Sequence, residues 1–197
     1  MTRRGHVGII AAFALSVALF CSPSSARADS AYVAVVRDYV EKRVRPMVEV
    51  PIVLQAVEEQ NLKFRDVSEM DIRVLDETYR SEVGSGDQHM IKALLGKPVS
   101  LYLKSKQDDS QGTIVEFFVT DCNGMNVGQS TETTDYWQGD EDKFLKTFAL
   151  GSNDIFIDKA ERDESTQLLE TQASFTLKDE AGKPIGIATV TIAIDAL

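Results

Sequence analysis

The spacing of apolar residues changes once along this chain, and that change restricts the fold more than any other feature. Up to about residue 106, apolar side chains recur every three or four positions, the repeat of a helix face. From Thr113 onward they recur every second position, the repeat of a strand. Helices first and strands second predict an α+β domain, with helices packed on an antiparallel sheet, and exclude alternating βαβ units.

In the first half, Val33, Val36, Val40, Val44 and Met47 form one stripe, with Arg37, Glu41, Lys42 and Arg45 on the other side. Asp29 and Ser30 suit its N-cap. Pro46 and Pro51 are expected to break or kink this helix, because proline removes a backbone donor and crowds the preceding turn. Pro51 then fits the first turn of a helix over 52–60. Ser68-Glu69-Met70-Asp71 resembles a capping box and opens a helix reaching about Val83. Shorter helices are predicted over 89–95 and 98–106. The reading is a long kinked helix that packs on the sheet, with pairing to a second copy of itself through this helix also open.

In the second half, Val115, Phe117 and Val119 alternate with Glu116, Phe118 and Thr120, giving a first strand. Asp121-Cys122-Asn123-Gly124 is a tight turn, since Asp bonds its own backbone and Gly tolerates positive φ. Strands over 125–130, 154–161, 169–177 and 185–194 complete a five-stranded sheet, with a short helix over 140–148 as an excursion. Such a sheet has one face on helices and another that can cup a small ligand.

The first residues form a separate unit. Arg3 and Arg4 precede an apolar run over 7–21, a Ser-Pro break and Ala26-Arg27-Ala28. This is the layout of a secretory signal peptide over 1–28, cleaved before Asp29 and leaving a single domain over 29–197. The run is short for a membrane span of about 20 residues. Periplasmic or secreted localisation follows. The leader holds three Arg and no acid, so its removal takes the net charge from −10 to −13. Nucleic acid is a poor partner for such a chain.

One His (His89), one Cys (Cys122) and one Trp (Trp137) remain after the leader. One His cannot build a His-rich zinc site. A Ser-His-Asp triad would depend on His89, and Gly128-Gln129-Ser130 carries Glu132 where a nucleophile elbow needs glycine. The acids at 135 and 140–142 do not match a calcium loop. No catalytic residue, cofactor or metal is assigned.

The stretch from Ser130 to Asp140 is the most distinctive. Tyr136 and Trp137 stand side by side, flanked by Asp135, Gln138, Ser130 and Asp140. Aromatic walls with a few polar groups suit a small-molecule pocket. Equally, Trp137 can plug the end of the core while the polar residues cap the next helix.

On the Asp121–Gly124 turn, the Asp135-Tyr-Trp-Gln-Gly-Asp-Glu segment, Gln60-Asn61 and the closing Gly182-Lys-Pro-Ile-Gly-Ile-Ala, the chain resembles the Cache superfamily of extracellular PAS-like sensor domains. The resemblance is to stand-alone exported single-Cache proteins, without a second membrane helix or an output domain. It implies a long N-terminal helix on a PAS-like antiparallel sheet. It also implies a pocket for a small polar metabolite, such as an amine or amino acid. Tyr136 and Trp137 would be walls, Asp135 or Asp140 would pair an ammonium, and Ser130 and Gln138 would orient the guest. Partners implied are that small ligand and a separate membrane-bound receptor or kinase. The rival reading is a periplasmic adaptor that binds such a receptor through its N-terminal helix.

Overall fold

A computed structural model describes Met1, residues 24–164 and residues 166–197, with side chains from Tyr32 onward. Most of the expected leader, including its apolar run, lies outside the described residues. No helix among the described residues is long and apolar enough to cross a membrane.

Helix α1 (Ser24–Tyr39) runs into a π-turn (Val40–Val44) and then α2 (Arg45–Val48). The span of α1 starts before Asp29 and Ser30. Pro46 does not break the run either. The Arg45 N–H bonds the Val40 carbonyl five residues back, and this widened turn accommodates the proline. Val50 is extended (φ −127°, ψ 151°), the conformation a following proline imposes, and separates α2 from α3 (Pro51–Lys63). Next come α4 (Glu69–Glu82), α5 (His89–Leu95) and α6 (Pro98–Asp109). The Ser68 hydroxyl accepts the Asp71 N–H at 3.2 Å and caps α4 as expected.

The sheet follows, with β1 (Ile114–Thr120), β2 (Asn126–Gln129), β3 (Phe156–Ile157), β4 (Glu161–Arg162), β5 (Leu169–Lys178) and β6 (Pro184–Ala193). Their order is β2-β1-β6-β5-β3, with β4 also on β5, and every pair is antiparallel. α7 (Asp142–Phe144) and a second π-turn (Leu145–Ala149) lie between β2 and β3. The α+β class is as predicted, but the sheet has six strands, not five. The expected third strand is divided: Ile157 pairs Ala173 and Glu161 pairs Glu170, so one extra residue bulges near 158–160. The Tyr32 hydroxyl on α1 holds that bulge, donating to the Asp158 carbonyl at 3.2 Å and accepting from the Ala160 N–H at 3.3 Å.

One face of the sheet presents Phe117, Val119, Phe175, Leu177, Val190 and Ile192. Against it pack Val36, Val40, Val44, Val48, Val53, Val57 and Leu103, all at 0% exposure. Each such side chain contributes about 1.5–3 kcal/mol on burial. From Val36 on, the valine stripe is thus covered by the chain's own sheet, and the adaptor reading loses the surface it relied on. A smaller cluster, Ile72, Tyr79, Ile91, Leu94, Met125 and Tyr136, joins α4 and α5 to the β1–β2 turn, with Trp137 at its margin.

Candidate functional site

The β1–β2 turn forms as its residues dictate. The Asp121 carboxylate accepts the N–H groups of Asn123 (2.8 Å) and Met125 (3.0 Å), and Gly124 takes φ 82°. The chain then returns as a polar loop whose members are held by the protein itself. The Asp76 carboxylate on α4 accepts the N–H groups of both Tyr136 and Trp137 at 3.0 Å. Tyr136 packs on Tyr79, with ring centroids 6.0 Å apart, and burial pushes its hydroxyl pKa up. The Trp137 indole N–H donates to the Asn123 carbonyl at 2.8 Å. Trp137 also lines a small surface hollow of about 250 Å³ with Glu69, Ile72 and Arg73.

Asp135 and Gln138 are brought together. The Gln138 amide donates to the Asp135 carboxylate, whose other oxygen receives Arg80 at 3.2 Å, and the Gln138 carbonyl accepts Lys143 at 3.0 Å. Burial raises the Asp135 pKa, and Glu141 adds to the rise. Ser130 is buried and extends the β1–β2 ladder, its hydroxyl accepting the Phe117 N–H at 2.9 Å. Asp140 is exposed. Of the six residues chosen from sequence, two form a charged cluster with Arg80 and Lys143, three serve packing or backbone pairing, and one faces solvent.

The second face of the sheet is polar. Phe118, Thr189, Ser174 and Phe156 form one cross-strand row, and Glu116, Thr191 and Gln172 form the next. Ser174 and Thr189 share a hydrogen bond at 2.9 Å. α7 and the π-turn that follows it roof the first row, with Lys143 5.4 Å from the Phe118 ring centroid and Lys146 4.7 Å from that of Phe156. In the second row, the Thr191 hydroxyl lies 3.3 Å from Glu116 and 3.4 Å from the Gln172 amide. Burial raises the Glu116 pKa; Lys143 opposes the rise, while Asp135 and Glu141 add to it. Glu116 thus links this row to the Asp135–Lys143 cluster.

At its other end the row opens into a hollow of about 390 Å³. Gln172 and Thr191 form its floor, and Asp158, Lys159, Arg162 and Glu170 stand among its walls. Glu161 on β4 pairs directly with Glu170 on β5. Like charges placed opposite one another in a ladder repel. Burial raises the Glu170 pKa, with Asp163 adding to it. One buried oxygen of the Glu170 carboxylate has no hydrogen-bond partner among the described residues. This pairing can receive a positive charge, and the Thr191 and Gln172 groups beneath it can orient a polar guest. The sequence carried a signal for this row: polar residues at every second position of interior strands. It gave none for the hollow, which depends on the divided strand.

No family model matches the chain, and no curated protein matches it. Solved structures similar to it include sensor domains and a chemoreceptor ligand-binding domain. The Escherichia coli DcuS sensor domain is 10% identical over 84% of this chain and 93% of its own, with a TM-score of 0.48. The Vibrio cholerae DctB histidine kinase sensor domain is 9% identical over 86% of this chain and 54% of its own, at 0.44. The ligand-binding domain of the Campylobacter jejuni chemoreceptor Tlp3, in complex with 4-methylisoleucine, is 18% identical over 75% of this chain and 62% of its own, at 0.38.

Proposed function

We propose that this chain is an exported, non-catalytic sensing domain that binds a small polar metabolite carrying an ammonium group on the polar face of its sheet. The observation that carries the reading is the facing pair Glu161 and Glu170, with one buried Glu170 carboxylate oxygen that has no hydrogen-bond partner among the described residues, at the mouth of the Glu116–Thr191–Gln172 row. An ammonium placed there relieves the repulsion and offers a donor to that oxygen. Thr191 and Gln172 orient the rest of the guest, and for an amino acid Lys159 stands on the same wall to meet the carboxylate. Asp135 and Gln138 act at the far end of the row, through Glu116. A separate membrane-bound receptor or kinase reads the occupied state.

A thermal-shift panel of amines, amino acids and carboxylates tests this. A guest at a hundred times its Kd adds about 2.7 kcal/mol to stability. Stabilisation by ammonium-bearing compounds is expected, with loss of the response in Glu170→Gln and Thr191→Val. Trp137→Ala is expected to lower the unliganded Tm and keep the response. A response that survives Glu170→Gln and disappears in Trp137→Ala overturns this placement and returns the site to the aromatic loop. Export is tested by mass spectrometry of the chain recovered from the periplasm, where Asp29 is the expected first residue.

A further inference from the structure

The helix-covered side of the molecule holds a second hollow, of about 440 Å³, between α3, α6 and β2. That volume is within the range of small-molecule sites. Its apolar walls are Ile52, Ala56, Val99 and Val127, and Ile52 is 40% exposed at the rim. Its charged members are Lys63, Lys97 and Glu59, an excess of base on a chain of net charge −10.

Lys97 is a partly buried cation. Its ammonium donates to the Gln60 side-chain carbonyl at 3.2 Å and to the Val127 backbone carbonyl at 3.1 Å. An ammonium has three N–H groups, so one remains to offer. The nearby Asp121 carboxylate already accepts Gln60, Asn123 and Met125. Lys63 adds a second positive charge, 4.8 Å from the Phe64 ring centroid.

We infer that this groove is a binding site for a monocarboxylate with an aliphatic tail. The carboxylate meets the free N–H of Lys97 and the charge of Lys63, and the tail lies along Ile52, Ala56, Val99 and Val127. Both hydrogen-bond partners of Lys97 are neutral acceptors, and the Asp121 carboxylate attracts its charge without bonding it. A second negative charge on the guest would face Glu59, and a bare small anion would leave the apolar walls wet. The site lies on the opposite side of the sheet from the ammonium hollow, and its charge preference is reversed.

Octanoate, octylamine and acetate are the probes, read by calorimetry and by amide chemical shifts on the intact chain. Octanoate is expected to bind saturably and to shift amides of α3, α6 and β2, while octylamine and acetate do not. Lys97→Met is expected to weaken octanoate about tenfold, the value of a charge-assisted hydrogen bond, and Lys97→Arg to retain most of the affinity. Ile52→Glu changes only the exposed rim and keeps the fold. It is expected to abolish octanoate binding and to leave any amine response of the opposite face unchanged. Equal binding of octylamine and octanoate, or unchanged octanoate affinity in both Lys97→Met and Ile52→Glu, overturns the assignment.

Discussion

Gly186 shows how little room the sheet leaves. A Cβ at this position would lie 2.0 Å from the Thr120 carbonyl oxygen on β1. The atom it meets is backbone and cannot turn aside, so Gly186→Ala is expected to cost about 1–3 kcal/mol, at the upper end of that range. Chemical denaturation measures it. Glu116 gives a prediction in the other direction. Burial raises its pKa, so the folded state holds a proton that the unfolded state releases. Stability therefore falls as pH rises from the ordinary carboxylate range through the raised folded value. Glu116→Gln is expected to raise Tm at pH 7, with the gain vanishing below the ordinary carboxylate range. Equal gains at both pH values would contradict the assignment. Residue-scale chemistry was legible where partners are local. The Asp121 carboxylate bonds N–H groups two and four residues on, so its turn could be read directly. The Arg80 partner of Asp135 is 55 residues away in the chain, and nothing nearby announces it.

The loop after β2 is held mainly by one phenol. The Tyr79 hydroxyl accepts the Gln129 amide at 2.6 Å and the Thr133 N–H at 3.2 Å, and lies 3.0 Å from the Thr133 hydroxyl. Asn126 adds bonds to Gln129, Thr133 and the Asp135 carbonyl. Tyr79→Phe strands two buried donors and is expected to cost about 1–3 kcal/mol. The indole emission of Trp137 should shift with it, since Trp137 rides on the same loop. If the variant matches the wild type in both stability and emission, the loop is held otherwise. Most elements followed from periodicity and caps, as with the Ser68 start of α4. The divided third strand did not. Its bulge is set by the β5 register and by Tyr32, more than a hundred residues upstream, and neither leaves a local trace.

For the molecule as a whole, the segregation of helices to one side decides where guests can go. The apolar side is filled by the valine stripe except at the α3–α6–β2 groove, and on the polar side the Ser174–Thr189 row is roofed while the Thr191–Gln172 row opens into its hollow. The α+β class was readable because it depends on the order of two periodicities. Which face would open was not, because it depends on α7 and the following π-turn, with Lys143 and Lys146, reaching across the sheet. The two proposed sites, with their opposed charge preferences, predict that screening weakens both kinds of guest. Calorimetry at 0.05 M and 0.5 M salt should show lower affinity for ammonium and carboxylate probes alike, since charged contacts near the surface fade as the Debye length shortens.

The lateral margins of the sheet carry a last consequence. On β2, the outward Gln129 amide is taken by the Ser100 hydroxyl at 3.1 Å and the Val127 carbonyl by Lys97. The opposite margin is two fragments of two residues each, out of step by one. Neither offers a straight run of vacant amides on which a foreign strand could grow. Margins guarded in this way disfavour edge-to-edge growth of a second sheet.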